Sequence, residues 1–293
     1  MTQVDSGTVT CMTQAKRLNV FVTGASSGIG KAATLELAAR GHQVFAGARR
    51  ADALQDLARD DGRIVPVRVD VTDPASVKAA VARVDEVTAG YGADVLVNGA
   101  GYALRGPVEA LSGAAVQHHF ATNVFGLLEV TRAFLPAMRA RHGGRVINIS
   151  SVVGRFVLPG LGAYSASKFA VEALSDALRM ELADFGVSVV LMEPSWVATN
   201  IADASAAQTS DFPLAANGYE TQLKTTGTYI VNEVRTRAIP AAAVGRQIAD
   251  AAEARKPKSR YVMPARGRFL VRLFDALPDT VADRAKRRTV GLA

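Results

Sequence analysis

Short apolar runs rich in β-branched residues alternate along most of this chain with alanine-rich stretches of helical periodicity. The runs predict strands at residues 20–23, 44–46, 64–69, 95–98, 146–150 and 187–192. The intervening stretches predict helices near residues 29–40, 52–60, 74–89, 108–141 and 163–185. Strands joined by helical crossovers form a parallel sheet covered on both faces. We therefore predict an α/β fold, a single Rossmann-type doubly wound parallel sheet with helices on both faces.

No Gly/Ser-rich or Pro-rich linker and no repeat divides the 293 residues, so one domain is expected over residues 18–265. The first 17 residues are polar and lack the apolar core of a signal peptide. We expect a disordered N-terminal extension there. Residues 195–240 are expected to form a lid, and residues 266–293 a basic amphipathic C-terminal segment.

The net charge of +7 is concentrated near the C-terminus, where Arg255 and the residues after it hold eleven Lys/Arg and three Asp. The rest of the chain is close to neutral, so the charge does not favour a nucleic-acid partner. The single Cys11 allows neither a disulfide nor a cysteine-based metal site. This composition and the lack of a long apolar run favour a cytoplasmic protein.

A glycine-rich turn follows the first predicted strand and leads directly into a helix. Its spacing is Gly24-x3-Gly28-x-Gly30. Gly24 permits a tight turn, Gly28 lets the backbone approach a pyrophosphate, and Gly30 allows close helix–strand packing. The unpaired N–H groups at the start of the helix would then face the phosphates. The turn therefore predicts a dinucleotide site.

The end of the second predicted strand indicates which dinucleotide binds. An NAD enzyme usually places an acid there for the ribose 2′-hydroxyl. Here Ala48 occupies the position, and Arg49 and Arg50 follow it. Because an arginine can bind a 2′-phosphate through charge-assisted hydrogen bonds, we predict NADP(H), with Arg49 as the contact.

Tyr164 and Lys168 are four residues apart at the start of a predicted helix, so their side chains share one face. A free tyrosine has a pKa near 10 and is a poor base at neutral pH. The Lys168 ammonium, with a positive nicotinamide ring, is expected to lower the pKa of Tyr164. Ser151, after the preceding strand, can bring a hydroxyl to the phenol. Tyr164 is thus the candidate acid/base.

Together these motifs resemble the short-chain dehydrogenase/reductase family in its short single-domain branch, from about residue 19 to residue 199. The resemblance rests on several motifs at compatible spacings, which are Thr23-Gly24-x3-Gly28-x-Gly30, Asp70-Val71, Asn98-Gly99-Ala100-Gly101, Asn123, Ser151, Tyr164-x3-Lys168 and Pro194-x4-Thr199. Two positions depart from the family pattern. Gly99 replaces the usual second asparagine, and Ser195 replaces a glycine.

The resemblance implies a role for each matching residue. Ser151 would bind the substrate oxygen, Tyr164 would exchange a proton with it, Lys168 would hold the nicotinamide ribose, and Asn123 would position a water. The cofactor would contact Tyr164 and Lys168, together with Gly24, Ser26, Ser27, Gly28, Ile29, Gly30, Arg49, Asp70, Val71, Asn98, Pro194, Val197 and Thr199.

Two other functions are considered. A serine hydrolase built on Ser26 within Gly24-x-Ser26-x-Gly28 would need a late histidine, and the last 151 residues hold none. A cofactor-binding regulator without turnover would be expected to lose Ser151, Tyr164 or Lys168, and all three are present. The adjacent His118 and His119 face different directions on a helix, so no metal site is predicted.

The substrate is predicted to be lipophilic, because apolar residues surround the expected site. They are Tyr102, Leu104, Val152, Val153, Phe156, Val157, Leu158 and Leu161, with Trp196, Phe212, Tyr219 and Tyr229 from the lid. This region resembles the retinol and 17β-hydroxysteroid dehydrogenases. The resemblance implies a steroid, retinoid or long-chain carbonyl, reduced or oxidised by a homodimer or homotetramer.

The C-terminal segment carries an apolar stripe of Phe269, Leu270, Leu273 and Phe274 among basic residues. Three interpretations stay open. The segment closes over the lipophilic substrate, it rests on an anionic surface such as a membrane interface, or its stripe packs on the protein's own body or a neighbouring subunit. Pro278 predicts two short helices in place of one long helix.

Overall fold

The structure, a computed structural model, describes residues 17–50, 52–199 and 218–292. Seven parallel strands form its central sheet in the order β3-β2-β1-β4-β5-β6-β9. They are β1 (Asn19–Thr23), β2 (Gln43–Ala48), β3 (Ile64–Arg68), β4 (Val95–Asn98), β5 (Gly144–Ile149), β6 (Val187–Pro194) and β9 (Arg260–Met263). A separate two-stranded parallel pair joins β7 (Val197–Ala198) to β8 (Ile239–Pro240).

Helices connect the strands and cover the sheet. They are α1 (Gly28–Ala39), α2 (Asp52–Asp60), α3 (Pro74–Val87), α4 (Gly113–Phe120), α5 (Leu127–Ala140), α6 (Gly162–Glu181), α7 (Glu220–Arg237), α8 (Ala241–Glu253), α9 (Ala265–Ala276) and α10 (Asp279–Thr289). The predicted doubly wound α/β fold is confirmed, and β1 shows why both faces are covered. Val20 and Val22 point into the cluster that includes α1 and α8, whereas Phe21 points into the cluster that includes α3 and α5.

The helical pattern predicted at residues 108–141 is not one helix. A short 3-10 turn at Val108–Ala110 precedes α4, which Ser112 caps by accepting a hydrogen bond from the Ala115 N–H. A π-helical turn at Ala121–Gly126 then joins α4 to α5. This region therefore contains two α-helices with a π-helical turn between them.

The C-terminal part of the chain completes the sheet. β9 pairs with β6 in parallel, with Leu191 opposite Arg260 and Pro194 opposite Met263. Two helices follow on either side of Pro278, which confirms the predicted interruption. Val271 and Phe274 of α9 join a core cluster beside the loop after β5. The extension predicted at residues 1–17 lies, apart from Arg17, outside the described residues.

Candidate active site

A cleft of about 570 Å³ opens at the carboxyl ends of the parallel strands. This is the edge at which a doubly wound sheet binds its ligands. Fifteen of the seventeen predicted site residues line it, namely Gly24, Ser26, Ser27, Gly28, Ile29, Gly30, Arg49, Asp70, Val71, Ser151, Tyr164, Lys168, Pro194, Val197 and Thr199. The fold thus brings residues from six separate parts of the sequence together.

The turn after β1 is closely packed against the loop after β4. Gly24 has φ +70°, and a Cβ there would lie 2.9 Å from Ala100 Cα. The Thr23 hydroxyl accepts hydrogen bonds from the N–H groups of Gly99 (3.0 Å) and Ala100 (3.1 Å). A Cβ at Gly99 would lie 2.8 Å from the Thr23 carbonyl oxygen. Glycine at position 99, where the family pattern has an asparagine, therefore allows the two loops to approach this closely.

The start of α1 fits a dinucleotide phosphate. Gly28, at φ +53°, begins the helix beside Thr199, and a Cβ at Gly30 would lie 2.3 Å from the Gly24 carbonyl oxygen. The first turn holds no acidic residue. Its unpaired N–H groups and the positive end of the helix dipole can therefore receive an anion. These residues fit the pyrophosphate of the predicted cofactor.

Arg49 and Asp70 line the end of the cleft where the adenosine of a bound cofactor is expected. Arg49 is exposed after β2, where the buried Ala48 stands in place of an acid. Burial acts to raise the pKa of Asp70, but hydrogen bonds from the Thr72 N–H (3.0 Å) and hydroxyl (2.7 Å) and the charge of Arg49 outweigh it and lower that pKa. The Arg49 guanidinium remains accessible from the cleft.

Tyr164 and Ser151 meet at the opposite end of the cleft, where α6 begins just beyond β5. The Ser151 hydroxyl donates to the Pro194 carbonyl oxygen (3.1 Å) and accepts from the Val153 N–H (3.3 Å). The same hydroxyl lies within hydrogen-bonding reach of the Tyr164 phenol. A substrate oxygen placed between these two hydroxyl groups could accept a hydrogen bond from each.

Burial raises the pKa of Tyr164 to about 12, although Ser151 and the positive charge of Arg105 oppose the rise. Nζ of Lys168 lies 5.8 Å from the centre of the tyrosine ring. From the sequence, Lys168 and a bound nicotinamide ring together are expected to lower this pKa, and that joint effect stays a prediction. The protein by itself keeps Tyr164 protonated, which is the form that can donate a proton.

Lys168 is buried and anchored. Its ammonium donates a hydrogen bond of 2.7 Å to the carbonyl oxygen of Ile149. Burial lowers the pKa of Lys168 to about 8, while the charge of Glu172, one turn further along α6, acts to raise it. The ammonium is therefore largely protonated at neutral pH and lines the cleft beside Tyr164.

Asn98 and Asn123, the two remaining predicted residues, lie behind the cleft wall. Asn98 Nδ2 donates to Thr131 Oγ1 and Asn148 Oδ1, both at 2.9 Å. Asn123, in the π-helical turn, donates to the carbonyl oxygen of Tyr102 (2.9 Å) and accepts from its N–H (3.1 Å). The structure therefore shows both side chains holding the protein's own backbone and core.

The sequence indicated no role for His119 in the site, and the structure places this residue behind the cleft wall near Tyr164. It is fully buried, and its Nε2 lies 3.1 Å from Ser167 Oγ and 3.4 Å from Asn123 Nδ2. Its ring centre is 6.1 Å from that of Tyr164. Burial lowers the pKa of His119 to about 4, so the imidazole is neutral at physiological pH. The sequence signal for this contact was only its helical spacing from Asn123.

The rest of the cleft is mainly apolar. Of the predicted apolar residues, Leu104 lies in the core and Val157 is exposed, and neither lines the cleft. Those that do line it are Tyr102, Val152, Val153, Phe156, Leu158 and Leu161, with Trp196 and Tyr229 from the predicted lid. Phe212 lies outside the described residues. Tyr219 instead donates a hydrogen bond of 2.7 Å to Glu109 Oε2.

Charged residues and the helix α9 also line the cleft. The sequence indicated that the C-terminal segment could close over the substrate, but it did not place the charged residues at the site. Arg105 lies near Tyr164, while Glu233 and Arg237 form an ion pair of 2.8 Å on α7. Gly267, Leu270 and Phe274 of α9 complete one wall, and Phe274 packs against Phe156 with ring centres 5.0 Å apart. Phe269 and Leu273 on the same helix remain exposed, at 67% and 38%.

The described ranges lack two other kinds of functional feature. They contain no cluster of three or more His, Cys, Asp or Glu side chains that could hold a metal ion. None of the helices in those ranges combines the length and apolar character needed to cross a membrane.

Known proteins with similar sequences include oxidoreductases. The chain is 35% identical over 268 residues to an uncharacterized oxidoreductase, YbbO, of Escherichia coli, covering 91% of this chain and 93% of that protein. It is 34% identical to an NADPH-dependent 3-dehydrocapnine reductase of Ornithobacterium rhinotracheale, with 90% and 94% covered. It is also 41% identical to human retinol dehydrogenase 16, over 62% of this chain and 57% of that protein.

Solved structures of short chain dehydrogenases also resemble this chain. A short chain dehydrogenase/reductase from Burkholderia phymatum in complex with NAD matches with a TM-score of 0.77 and 28% identity, covering 90% of this chain and 95% of that chain. A short chain dehydrogenase from Burkholderia cenocepacia in complex with NADP matches with a TM-score of 0.71 and 26% identity, covering 96% and 100%. The family model for short chain dehydrogenases matches residues 18–210. The chain therefore belongs to the short-chain dehydrogenase/reductase family and is an oxidoreductase of that family.

Proposed function

We propose that this oxidoreductase uses NADP(H) to interconvert a lipophilic carbonyl compound and its alcohol, with Tyr164 as the general acid/base. The observation that carries the proposal is the meeting of Tyr164, Ser151 and Lys168 at the apolar end of the cleft. The other end combines the glycine turn with Arg49, which suits a nucleotide that bears a 2′-phosphate. The two ends are parts of one continuous cavity.

In the reductive direction, bound NADPH would supply the hydride to the carbonyl carbon. The protein's own residues would handle the oxygen. Ser151 would donate a hydrogen bond to it, and Tyr164 would transfer its phenolic proton to it, so that the product is a neutral alcohol. The Lys168 ammonium would stabilise the resulting phenolate. The protonated state of Tyr164 favours this direction, because a general acid must hold its proton when the reaction begins.

The lipophilic nature of the substrate follows from the wall of the cleft. Its apolar side chains come from the loop after β5, from α7 and from α9. A retinol dehydrogenase and a 3-ketodihydrosphingosine reductase are among the relatives. A steroid, a retinoid and a long-chain aldehyde or ketone are therefore the substrates to test first.

A kinetic panel tests the proposal. The purified protein is offered long-chain aldehydes and ketones, a retinoid and a ketosteroid with NADPH or NADH, and the alcohols with NADP⁺ or NAD⁺. We expect turnover of at least one lipophilic pair and a higher kcat/KM with the phosphorylated cofactor. Tight cofactor binding without turnover of any pair in either direction would instead indicate a regulatory protein.

We also propose that the chain forms a homodimer or homotetramer through α5 and α6. Phe169 and Met180 are exposed about three helical turns apart on α6, so they share a face. Phe125, just before α5, is 63% exposed. A second copy of this face would cover these apolar side chains, because two-fold contacts are self-complementary. The mass of the protein in solution, compared with that of Phe169→Glu, tests this contact.

The apolar and basic surface of α9 is proposed to rest on an anionic membrane. Phe269 and Leu273 are exposed beside Arg266, Arg268 and Arg272, and Leu270 of the same helix lines the cleft. Such a surface can insert its apolar side chains among lipid headgroups while the arginines meet anionic lipid. The cleft would then open close to the phase in which a lipophilic substrate dissolves. A cytoplasmic location with peripheral membrane contact stays a prediction.

A further inference from the structure

Arg105 is a cation at the reacting end of a cleft whose walls are otherwise mainly apolar. It lies in the loop after β4, four residues beyond Gly101, and it lines the cleft beside Tyr164. Its charge acts on the tyrosine, opposing the rise in the pKa of the phenol. The guanidinium is therefore close to the point at which a substrate carbonyl would react.

The loop fixes the backbone on both sides of this arginine. Leu104 is 1% exposed and packs in a core cluster with Tyr102, Leu111 and Ala163. The N–H of Gly106 donates a hydrogen bond of 2.9 Å to the carbonyl oxygen of Gly160. Arg105 is thus held between a buried side chain and a backbone hydrogen bond. Only its side chain is free to adjust to a ligand.

Within the described part of the chain, Arg105 has no acidic partner, and its buried Nε has no hydrogen-bond acceptor. Two other partly buried arginines have partners for their terminal nitrogens, although Nε of Arg145 also lacks an acceptor. Arg260 contacts Glu172 and Asp176, and Arg145 donates to the carbonyl oxygens of Ala252 (2.6 Å) and Ala254 (2.7 Å). Burial lowers the pKa of Arg105, yet an arginine keeps its charge at physiological pH. A half-buried cation without an acceptor is costly unless a ligand supplies one.

We propose that Arg105 binds an oxyanion group of the substrate, a carboxylate or a sulfonate, located within a few bonds of the reacting carbonyl. A guanidinium matches such groups with two parallel hydrogen bonds, which fix orientation as well as adding affinity. The anionic group would lie at the same end of the cleft as the carbonyl, because Arg105 and Tyr164 both line that end. The inference rests on the proposed function and narrows its substrate class.

The remainder of the substrate would be an apolar chain. Beyond Tyr164 the cleft is bounded by apolar side chains, namely Val152, Phe156, Leu158, Leu161, Leu270 and Phe274. The proposed substrate is thus an amphiphile with a carbonyl close to its anionic head and a hydrocarbon tail along this wall. Such an amphiphile would be bound at both ends, which orients its carbonyl toward Ser151 and Tyr164.

A matched pair of ketones tests the proposal. The first is a long-chain β-keto sulfonate, and the second is the methyl β-keto sulfone of the same chain length, which has nearly the same shape without the charge. We expect the wild-type protein with NADPH to reduce the sulfonate with the higher kcat/KM. In Arg105→Met the kcat/KM for the sulfonate should fall about 10- to 150-fold, as for a charged hydrogen bond, and that for the sulfone should change little.

Variants separate binding from other roles of the residue. Arg105→Lys keeps the positive charge but loses the two parallel N–H donors of the guanidinium. It should retain part of the preference for the sulfonate. Arg83→Met, on the exposed surface of α3, is the matched control and should leave kcat/KM unchanged for both ketones. The midpoint of thermal unfolding of each variant shows that it is folded. If Arg105 acted only on the pKa of Tyr164, Arg105→Met would slow both ketones equally and shift the pH profile, which would overturn the proposal.

Failure of the inference is distinguishable from failure of the proposed function. Reduction of neither ketone nor any compound of the kinetic panel would count against the proposed function itself. Efficient reduction of the sulfone, with no advantage for the sulfonate and no specific effect of Arg105→Met, would leave the function standing and overturn the role of Arg105.

Discussion

The ammonium of Lys168 donates a hydrogen bond of 2.7 Å to the carbonyl oxygen of Ile149, the last residue of β5. This contact joins the first turns of α6 to the end of a central strand. Ser151 follows two residues after Ile149, and Tyr164 lies one turn before Lys168. This hydrogen bond therefore helps to hold the three groups that we assign to catalysis at one end of the cleft.

Replacement of Tyr164 by Phe should abolish turnover and leave cofactor affinity nearly unchanged. Only the phenolic hydroxyl is lost, and general acid/base catalysis contributes about 10²- to 10⁴-fold to a rate. Steady-state kinetics and a cofactor titration measure the two effects. Tyr91→Phe, a tyrosine before β4 and far from the cleft, is the control. A Tyr164→Phe variant that keeps its activity would move the chemistry to another residue.

Replacement of Arg49 by Ala should weaken NADPH binding by about 1–3 kcal/mol, as for a charged hydrogen bond, with little effect on NADH. The reason is that only NADPH carries a 2′-phosphate. Titration calorimetry with both cofactors gives the difference. The control is Arg63→Ala, which removes a surface arginine paired with Asp61. Equal losses for both cofactors would contradict the assignment.

The reaction rate should depend on the charge of Lys168. Its pKa is lowered to about 8, so the ammonium loses its proton as the pH rises through this value. We expect kcat/KM, which reports the free enzyme, to fall on the alkaline side of about pH 8. Lys168→Arg keeps a charge at all accessible pH values and should move this limb upward. If an active Lys168→Arg variant showed the same alkaline fall in kcat/KM, another group would be responsible for that fall.

The same residue should make stability depend on pH. The folded-state pKa of Lys168, about 8, is below its ordinary value of 10.5. Between these values the unfolded chain binds the proton more strongly than the folded one, so the free energy of unfolding rises with pH. Denaturant unfolding between pH 8 and pH 10 should show this increase, and Lys168→Met should flatten it. If the free energy of unfolding rose equally with pH in the wild type and in Lys168→Met, Lys168 would not be the cause of the rise.

Binding to anionic vesicles should require the exposed apolar side chains of α9. We expect the wild-type protein to sediment with phosphatidylserine-containing liposomes at low salt and less at high salt. Phe269→Ser combined with Leu273→Ser should reduce sedimentation without unfolding the protein, because both side chains are exposed. Val231→Ser, at a 64% exposed site on α7, is the matched control. Absence of binding by the wild-type protein would favour a protein partner for this surface.

Much of the fold was predictable because its signals are local. Each central strand from β1 to β6 overlaps a predicted run, since a strand covered on both faces must be apolar along its length. β9 was not predicted, because Arg260 begins it and only four residues pair with β6. The π-helical turn around Asn123 was also missed. Such turns occur mostly as single turns inside α-helical stretches, and the residues on either side still predict helix.

The site was predictable where a motif fixes residue types, and not where burial or a distant contact decides. The glycine turn, Arg49, Ser151 and Tyr164 line the cleft as expected. The pKa of Tyr164 was not predictable, because the sequence shows the nearby charge but not the desolvation that opposes it. Arg105 carries no motif, and only the closure of its loop against Gly160 places it beside the tyrosine.

The position of β9 has a consequence for how the enzyme assembles. The strands around the glycine turn, from β1 to β4, come from contiguous βα units, whereas β9 reaches β6 only after the chain has run from Pro194 to Arg260. Closing so long a loop has an entropic cost that is recovered only when the pairing forms, and such pairings form late. β9 also leads into α9, which supplies one wall of the cleft. We therefore expect a growing or refolding chain to acquire its nucleotide pocket first. Its ability to select a substrate should come only when the C-terminal strand arrives.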